Sequence, residues 1–231
     1  MENDLIKARL LYYSFFKTLF LYEELSLEPK DDFKDLVLIL KDSPFDENLK
    51  ESLERVSLEI YENGFVNILS EYQKLFFEPN GASLGFTASF YNEGYEAGTM
   101  LVRTKDILNQ SLIRKDSEKF PDNEDHFGFL FTMMGHFLEI ELDSNEQSCK
   151  YKELSKSLFS EVINGTVEPF IEAIVNSVDS RLYKDIATIL FGFINFERFF
   201  YDIKATEVKN TLKAESINEK YYKKRKKQKQ K

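Results

Sequence analysis

The chain has 231 residues, 42% hydrophobic and 31% charged, with a formal net charge of −9. That length and balance suit a folded domain with a sizeable core and exclude an intrinsically disordered chain. The single cysteine, Cys149, excludes an internal disulfide framework; no run of about eighteen uncharged apolar residues offers a transmembrane helix; and the acidic start Met1-Glu2-Asn3-Asp4 lacks the basic-then-apolar order of a secretory signal, so a cytoplasmic protein without stable membrane association is expected.

Residues 4–24 read as the first helix, with Leu5, Tyr12, Phe16 and Leu19 at three-to-four spacing and Leu11, Phe15 and Phe20 widening the stripe. Asp31 or Asp32 is placed to cap a short helix through Leu40. Pro44 and Asp46 open another, which runs to about Tyr61 and is punctuated by Asn63-Gly64. A helix from about Phe65 to Phe77 meets the stop signal Glu78-Pro79-Asn80-Gly81, where proline cannot donate and glycine accepts left-handed angles. Residues 78–95 then read as a long loop carrying Phe86, Phe90, Tyr91 and Tyr95; a loop of that length is often functional. A helix from Glu96 to Leu112 follows. The polar stretch 115–124, with Pro121, reads as a hinge. Helices are expected over 125–142, 147–163, 167–177 and 180–204, with all five prolines at helix edges.

The segment after the hinge is apolar on most sides. Phe127, Leu130, Phe131, Met134 and Leu138 share one face, and Phe129, Met133, Phe137 and Ile140 another, the pattern of a helix surrounded by other helices. Tyr183, Ile186, Leu190 and Phe193, extended by Phe196 and Phe200, form a second strong stripe. No alternating strand pattern and no repeat is visible. The fold class is therefore all-α, a multi-helix bundle: one helical domain over 1–216, with an N-terminal half (1–114), a hinge (115–124) and a C-terminal half (125–204), followed by a basic, disordered tail over 217–231. Residues 219–231 hold eight Lys or Arg and one Glu, a net +7, so residues 1–218 carry −16. An acidic body favours basic partners and repels nucleic acid. The tail alone offers attraction to RNA or an anionic surface, against the plainer reading of a solvated charge block.

Chemistry of a catalytic kind finds no positive evidence. His126 and His136 stand ten apart with Cys149 in no ligand spacing, which disfavours zinc. Phosphate-loop, dinucleotide and nucleophile-elbow motifs are missing. No cofactor is expected. The segment Pro121-Asp122-Asn123-Glu124-Asp125-His126 reads in two ways. In one, Asp122 accepts the backbone N–H of residue 125 and the acids simply start a helix. In the other, Glu124 and Asp125 beside a rigid apolar helix form part of a groove for a peptide bearing adjacent arginines and an apolar stretch, since guanidinium pairs with carboxylate in bidentate fashion. His126 would donate to a peptide carbonyl or hold Asp125, and Phe86 and Tyr91 would line the groove or pin the loop to the core.

These residues resemble the TorD/DmsD/NarJ family of redox-enzyme maturation chaperones. Pro121 to His126 is similar to the family's hinge motif of Glu-x-x-Asp-His type, with Asp125-His126 kept. Glu71, Tyr72, Leu75 and Phe76 match its Glu-Tyr-x-x-Leu-Phe element. Ser89-Phe90-Tyr91 keeps part of its Pro-Tyr-Glu-Ser-x-Tyr element, with Phe86, Thr87 and Ala88 in place of the rest. Arg9 and Tyr13 match its first-helix pattern, and Pro169-Phe170 is retained near a departed His/Trp pattern. The resemblance implies a non-enzymatic, all-helical chaperone. Its partner would be the twin-arginine leader, or the body, of a molybdenum-cofactor oxidoreductase subunit of formate dehydrogenase or dimethyl sulfoxide/trimethylamine N-oxide reductase type, held in the cytoplasm until maturation is complete. Peptide-contacting residues would be Glu124, Asp125, His126, Tyr72, Phe76, Phe86 and Tyr91, and the state a monomer or a hinge-exchanged dimer. No nucleic-acid partner is expected. The alternative is a general helical adaptor that docks a partner helix without leader specificity.

Overall fold

The computed structural model describes residues 2–77, 83–143 and 146–206. The stop signal at Glu78–Gly81 and the basic tail lie outside them. All regular elements within them are helical, as the all-α reading requires, and no described helix is long and apolar enough to cross a membrane.

Helix α1 (Glu2–Phe20) ends earlier than its apolar stripe, at Leu21, whose backbone is extended, and α2 (Tyr22–Leu25) restarts the chain. Tertiary contacts set the break. The Tyr183 hydroxyl donates to the Leu19 carbonyl at 2.6 Å, satisfying an acceptor that the helix end leaves open. Gly128 also approaches so closely that a Cβ there would sit 2.6 Å from the Phe20 carbonyl oxygen. In α3 (Asp31–Asp42) the cap position is Lys30, without a side-chain bond; Asp31 and Asp32 occupy the first turn, where their charge suits the helix end. A short 3-10 turn over Glu47–Leu49 is capped by Asp46, which accepts the Asn48 N–H at 2.9 Å. It leads into α4 (Lys50–Asn63), which closes on Gly64 at φ +62°, and α5 (Val66–Phe76) follows.

Three expectations are corrected further on. The long aromatic loop contains a helix, α6 (Ala88–Glu93), started by the Thr87 hydroxyl, which accepts the Phe90 N–H. Helix α7 (Thr99–Gln110) begins later than Glu96, because the Glu93 carboxylate takes the Thr99 N–H at 3.0 Å and so caps it. After α8 (Phe127–Leu142), helices α9 (Ser148–Leu158) and α10 (Asn164–Asn176) are not separated by a loop. A π-helical turn over Phe159–Ile163 joins them, and Pro169 lies inside α10 rather than at an edge. The wider π turn changes the hydrogen-bond register ahead of a residue that has no N–H to give. Helix α11 (Leu182–Tyr201) completes the bundle.

Helix α8 is the axis of the core, buried over Phe127, Leu130, Phe131, Met134 and Phe137, each contributing on the order of 1.5–3 kcal/mol by burial. Helix α1 packs along it and α11 lies against α10 and α4. Two buried polar links tie distant helices together. Arg9 of α1 donates through Nε to Glu197 Oε1 at 2.6 Å and through a terminal nitrogen to Oε2 at 2.9 Å, and the Tyr13 hydroxyl donates to the same carboxylate at 2.7 Å. Arg9 also donates to the Tyr201 hydroxyl, which donates to Ser155 of α9. Burial disfavours the Arg9 charge, but Glu197 and the two tyrosines outweigh it and hold the guanidinium protonated. The second link is Glu71 of α5. It caps the first turn of α11 by accepting the N–H groups of Arg181 and Tyr183 at 2.7 Å and of Leu182 at 3.0 Å, where Arg181 makes no side-chain cap of its own.

Removing one partner of a buried pair strands the other. Glu197→Ala is expected to lower the unfolding free energy by about 3–5 kcal/mol and Glu71→Ala by about 1–3 kcal/mol, with Arg55→Ala, an exposed member of an ion pair with Asp185, costing least. Urea denaturation midpoints check this ranking, and equal losses in all three would contradict it.

Candidate functional site

The segment before α6 and the segment before α8 are stitched together. The Ala88 N–H donates to the Asp125 carbonyl at 2.8 Å and the Phe127 N–H to the Phe86 carbonyl at 3.0 Å, with Thr87 and His126 paired as an isolated antiparallel bridge. Asp125 Oδ2 accepts the Ser89 N–H at 2.9 Å, so this carboxylate caps α6 from a distant part of the chain. His126 caps α8 itself: its Nδ1 accepts the Gly128 N–H at 3.1 Å, which leaves the ring proton on Nε2. The helix expected from about residue 125 thus starts at His126, not at Asp122 as one of the two readings of this segment had it.

Around this stitch the aromatics converge. Phe86 stacks on Phe76 at 4.1 Å and on the His126 ring at 4.7 Å, and lies 5.4 Å from Tyr72. Phe120, from the expected hinge, meets His126 at 5.4 Å and Phe129 at 5.1 Å. Tyr91 stands behind the cluster, with its hydroxyl on the Gly85 carbonyl at 3.0 Å and its ring 5.5 Å from Phe170.

The fold thus brings the named residues together, but as a packed junction. Asp125 and His126 are buried, as are Tyr72, Phe76 and Tyr91. One Asp125 oxygen and the His126 Nδ1 are engaged at helix ends, and the other carboxylate oxygen of Asp125 is buried without a hydrogen-bond partner. Glu124, half-buried, lies 3.5 Å from both Lys105 and Lys115. Lys115 also donates to the Asp122 carbonyl at 2.7 Å, which ties the ends of the 115–124 segment together. Burial drives the His126 pKa down to about 3, so the ring is neutral at physiological pH.

The cluster reaches solvent at a rim that the sequence reading did not single out. Phe77 is 53% exposed and lies 5.8 Å from Phe86 and 5.6 Å from Tyr22, itself 39% exposed. Two exposed acids, Glu23 and Asp122, lie near enough to Tyr72 behind this rim to act on it. Burial raises the Tyr72 pKa most, and the charges of the exposed Glu23 and Asp122 raise it further. Glu96 accepts a hydrogen bond from the Thr87 hydroxyl at 2.7 Å. Although Glu96 is exposed as a residue, local desolvation raises its pKa, as do Asp125 and Asp122, against the pull of Thr87. The available signal was the Tyr22-Glu23-Glu24 triplet and the doubled Phe76-Phe77, aromatic residues beside acids. An open cavity of about 450 Å³ lies elsewhere, beside the start of α11, with Arg55, Lys74, Arg181, Glu59 and Asp185 on its walls. Among the described residues, no group of three or more His, Cys, Asp or Glu is arranged to hold a metal.

Residues 42–175, from the end of α3 through nearly all of α10 and including the whole stitched junction, match the family model described as nitrate reductase delta subunit. The chain belongs to that family. The nitrate reductase delta family comprises NarJ/TorD-type chaperones of redox-enzyme maturation, non-catalytic proteins whose clients are molybdoenzymes. No curated protein matches the chain, and no solved structure does.

The buried neutral His126 has a pH signature. Its folded pKa of about 3 lies below the ordinary 6.5, so the stabilisation is fully present above pH 6.5 and is lost as pH falls toward 3, while only the unfolded chain takes up the proton. Between pH 7 and pH 5 the unaltered protein should lose about 2 kcal/mol more unfolding free energy than His126→Gln. Urea titrations at both pH values check this, and equal slopes for the two proteins would refute it.

Proposed function

We propose that this member of the nitrate reductase delta family is a cytoplasmic chaperone that binds the twin-arginine leader of a molybdoenzyme subunit of formate dehydrogenase or dimethyl sulfoxide/trimethylamine N-oxide reductase type. The observation that carries the reading is the exposed Tyr22–Phe77 pair packed on Tyr72, with Glu23 and Asp122 near enough to act on Tyr72. Tyr22 and Phe77 expose ring surface to an apolar segment, and Glu23 and Asp122 stand beside them for guanidinium groups. A guanidinium offers a planar fork that a carboxylate matches in bidentate fashion. The acidic body adds a long-range pull on a basic peptide.

In this reading the seven residues named from the sequence support the rim rather than form it. Asp125 and His126 keep the α6 and α8 ends locked together, and Tyr72, Phe76 and Tyr91 supply the packed floor. Phe86 joins floor to rim, and Glu124 holds the 115–124 segment through Lys105 and Lys115. Leader contact falls to the rim. Binding the body of the client, and exchange of helical halves through 115–124 between two copies, are further proposals of the same reading.

Titration of a labelled peptide with adjacent arginines followed by an apolar stretch tests this reading. Glu23→Gln combined with Asp122→Asn should weaken binding about three- to tenfold, as expected for the loss of two exposed charge pairs, with unchanged helical content. Replacing the two arginines by lysines should weaken it similarly. Unaltered affinity in the double variant would sink the rim assignment, and equal binding of the lysine peptide would favour the general adaptor.

A further inference from the structure

Two carboxylates meet at the start of α6, and a third lies close by. Asp125 comes from the segment before α8, with Oδ2 on the Ser89 N–H at 2.9 Å. Glu96 comes from the turn after α6, with Oε2 accepting the Thr87 hydroxyl at 2.7 Å, and Thr87 itself accepts the Phe90 N–H. Burial pushes the Glu96 pKa up, and the charges of Asp125 and Asp122 push it further against the Thr87 hydrogen bond, so both acids stand near enough to act on it. The turn that brings Glu96 back to Thr87 holds Ala97 at φ 58°, a left-handed backbone that costs a residue with a Cβ about 1–2 kcal/mol.

Asp125 is the unusual member. Its side chain is fully buried, and Oδ1 has no hydrogen-bond partner. A buried polar atom in that condition is rare in folded proteins, and in a low-dielectric surround its charge acts on neighbours at nearly full strength. The nearby lysines are engaged elsewhere: Lys105 and Lys115 both pair with Glu124 at 3.5 Å. Among the described residues no cation forms an ion pair with Glu96, Asp122 or Asp125. Glu96 and Asp122 are exposed, so a cation from solution meets the field of the buried carboxylate at these two side chains.

We propose that Glu96, with Asp122, seats one guanidinium of the arginine-bearing leader, and that Asp125 strengthens this seat from below without touching the ligand. The inference rests on the leader reading given above and adds a specificity-determining residue to it. Adjacent arginines on an extended peptide point to opposite sides, so each needs its own acid; Glu23 serves one and Glu96 the other. The Thr87 hydroxyl fixes the Glu96 carboxylate and leaves its Oε1 for the ligand. A guanidinium fits better than an ammonium, because its planar fork reaches two carboxylates at once and its weaker hydration makes entry into a partly desolvated place less costly. A metal ion does not fit, since among the described residues no group of three or more His, Cys, Asp or Glu is arranged to hold one.

The test titrates the full-length protein with a labelled Arg-Arg peptide bearing an apolar stretch, and with two versions in which the first or the second arginine is citrulline, which keeps the shape and removes the charge. Glu96→Gln still accepts the Thr87 hydroxyl, so helical content should not change. It is expected to weaken the Arg-Arg peptide about three- to tenfold. The same substitution should cost one of the two citrulline peptides less than about twofold, because the partner it removes is already missing there. Glu54→Gln, an exposed charge on α4, is the comparison and should leave all three affinities within about twofold. Unchanged affinity of Glu96→Gln for the Arg-Arg peptide, equal losses in Glu96→Gln and Glu54→Gln, or equal losses for all three peptides would each overturn the seat. Glu23→Gln with Asp122→Asn, measured alongside, then tells whether the leader reading survives without it. Failure of the unaltered protein to bind the Arg-Arg peptide would remove both.

Discussion

Asp125 and His126 cap two different helices, one of them far away in the chain. Asp125 closes the start of α6 through Ser89, and His126 closes the start of α8 through Gly128. Between them, two backbone hydrogen bonds join the 86–88 strip to the 125–127 strip. This constraint decides where α8, the core axis, enters the bundle, and it places Phe86 against Phe76 and Tyr72. Buried carboxylates and imidazoles are costly unless satisfied; here the helix N–H groups satisfy one oxygen and one nitrogen. A motif that looks like binding chemistry is thereby also a folding device, and it holds the aromatic rim at its surface in one shape.

The same logic recurs at two further points. Glu71 lies 110 residues from Arg181 in the chain, yet supplies the acceptor for three N–H groups at the start of α11. Arg9 and Glu197, 188 residues apart, form a two-bond pair that Tyr13 and Tyr201 complete. An apolar bundle packs in several registers at similar cost. A buried charge accepts only the register in which its partner meets it, because the unpaired alternative is expensive. Three such links, between α6 and α8, α5 and α11, and α1 and α11, select one arrangement from the many that the hydrophobic stripes allow.

That selection shows which parts of the sequence were readable. The stripes of α8 and α11, the Asn63-Gly64 turn and the all-helical class are properties of neighbouring residues, and local spacing reveals them. The break at Leu21 was not readable, because the Tyr183 hydroxyl and the approach of Gly128 cause it. Nor was the unbroken path through Phe159–Ile163 with Pro169 inside a helix, since the π turn that precedes the proline gives no composition signal. The aromatic stretch before Gly94 looked like loop because its helix, α6, is short and depends on Thr87 and on Asp125 from another segment.

The candidate site divides along the same line. Sequence alone determined that this is an acidic, all-helical chain carrying the Glu71–Phe76 and Asp125–His126 elements, because charge, periodicity and motif order are local properties. Only the tertiary structure decided that Asp125 and His126 face inward while Tyr22, Phe77, Glu23 and Asp122 face out. Which side of a short loop meets solvent depends on what packs against the other side, and here that is Phe76, Phe86 and Phe120, from two distant stretches of chain that become neighbours only once α8 is in place.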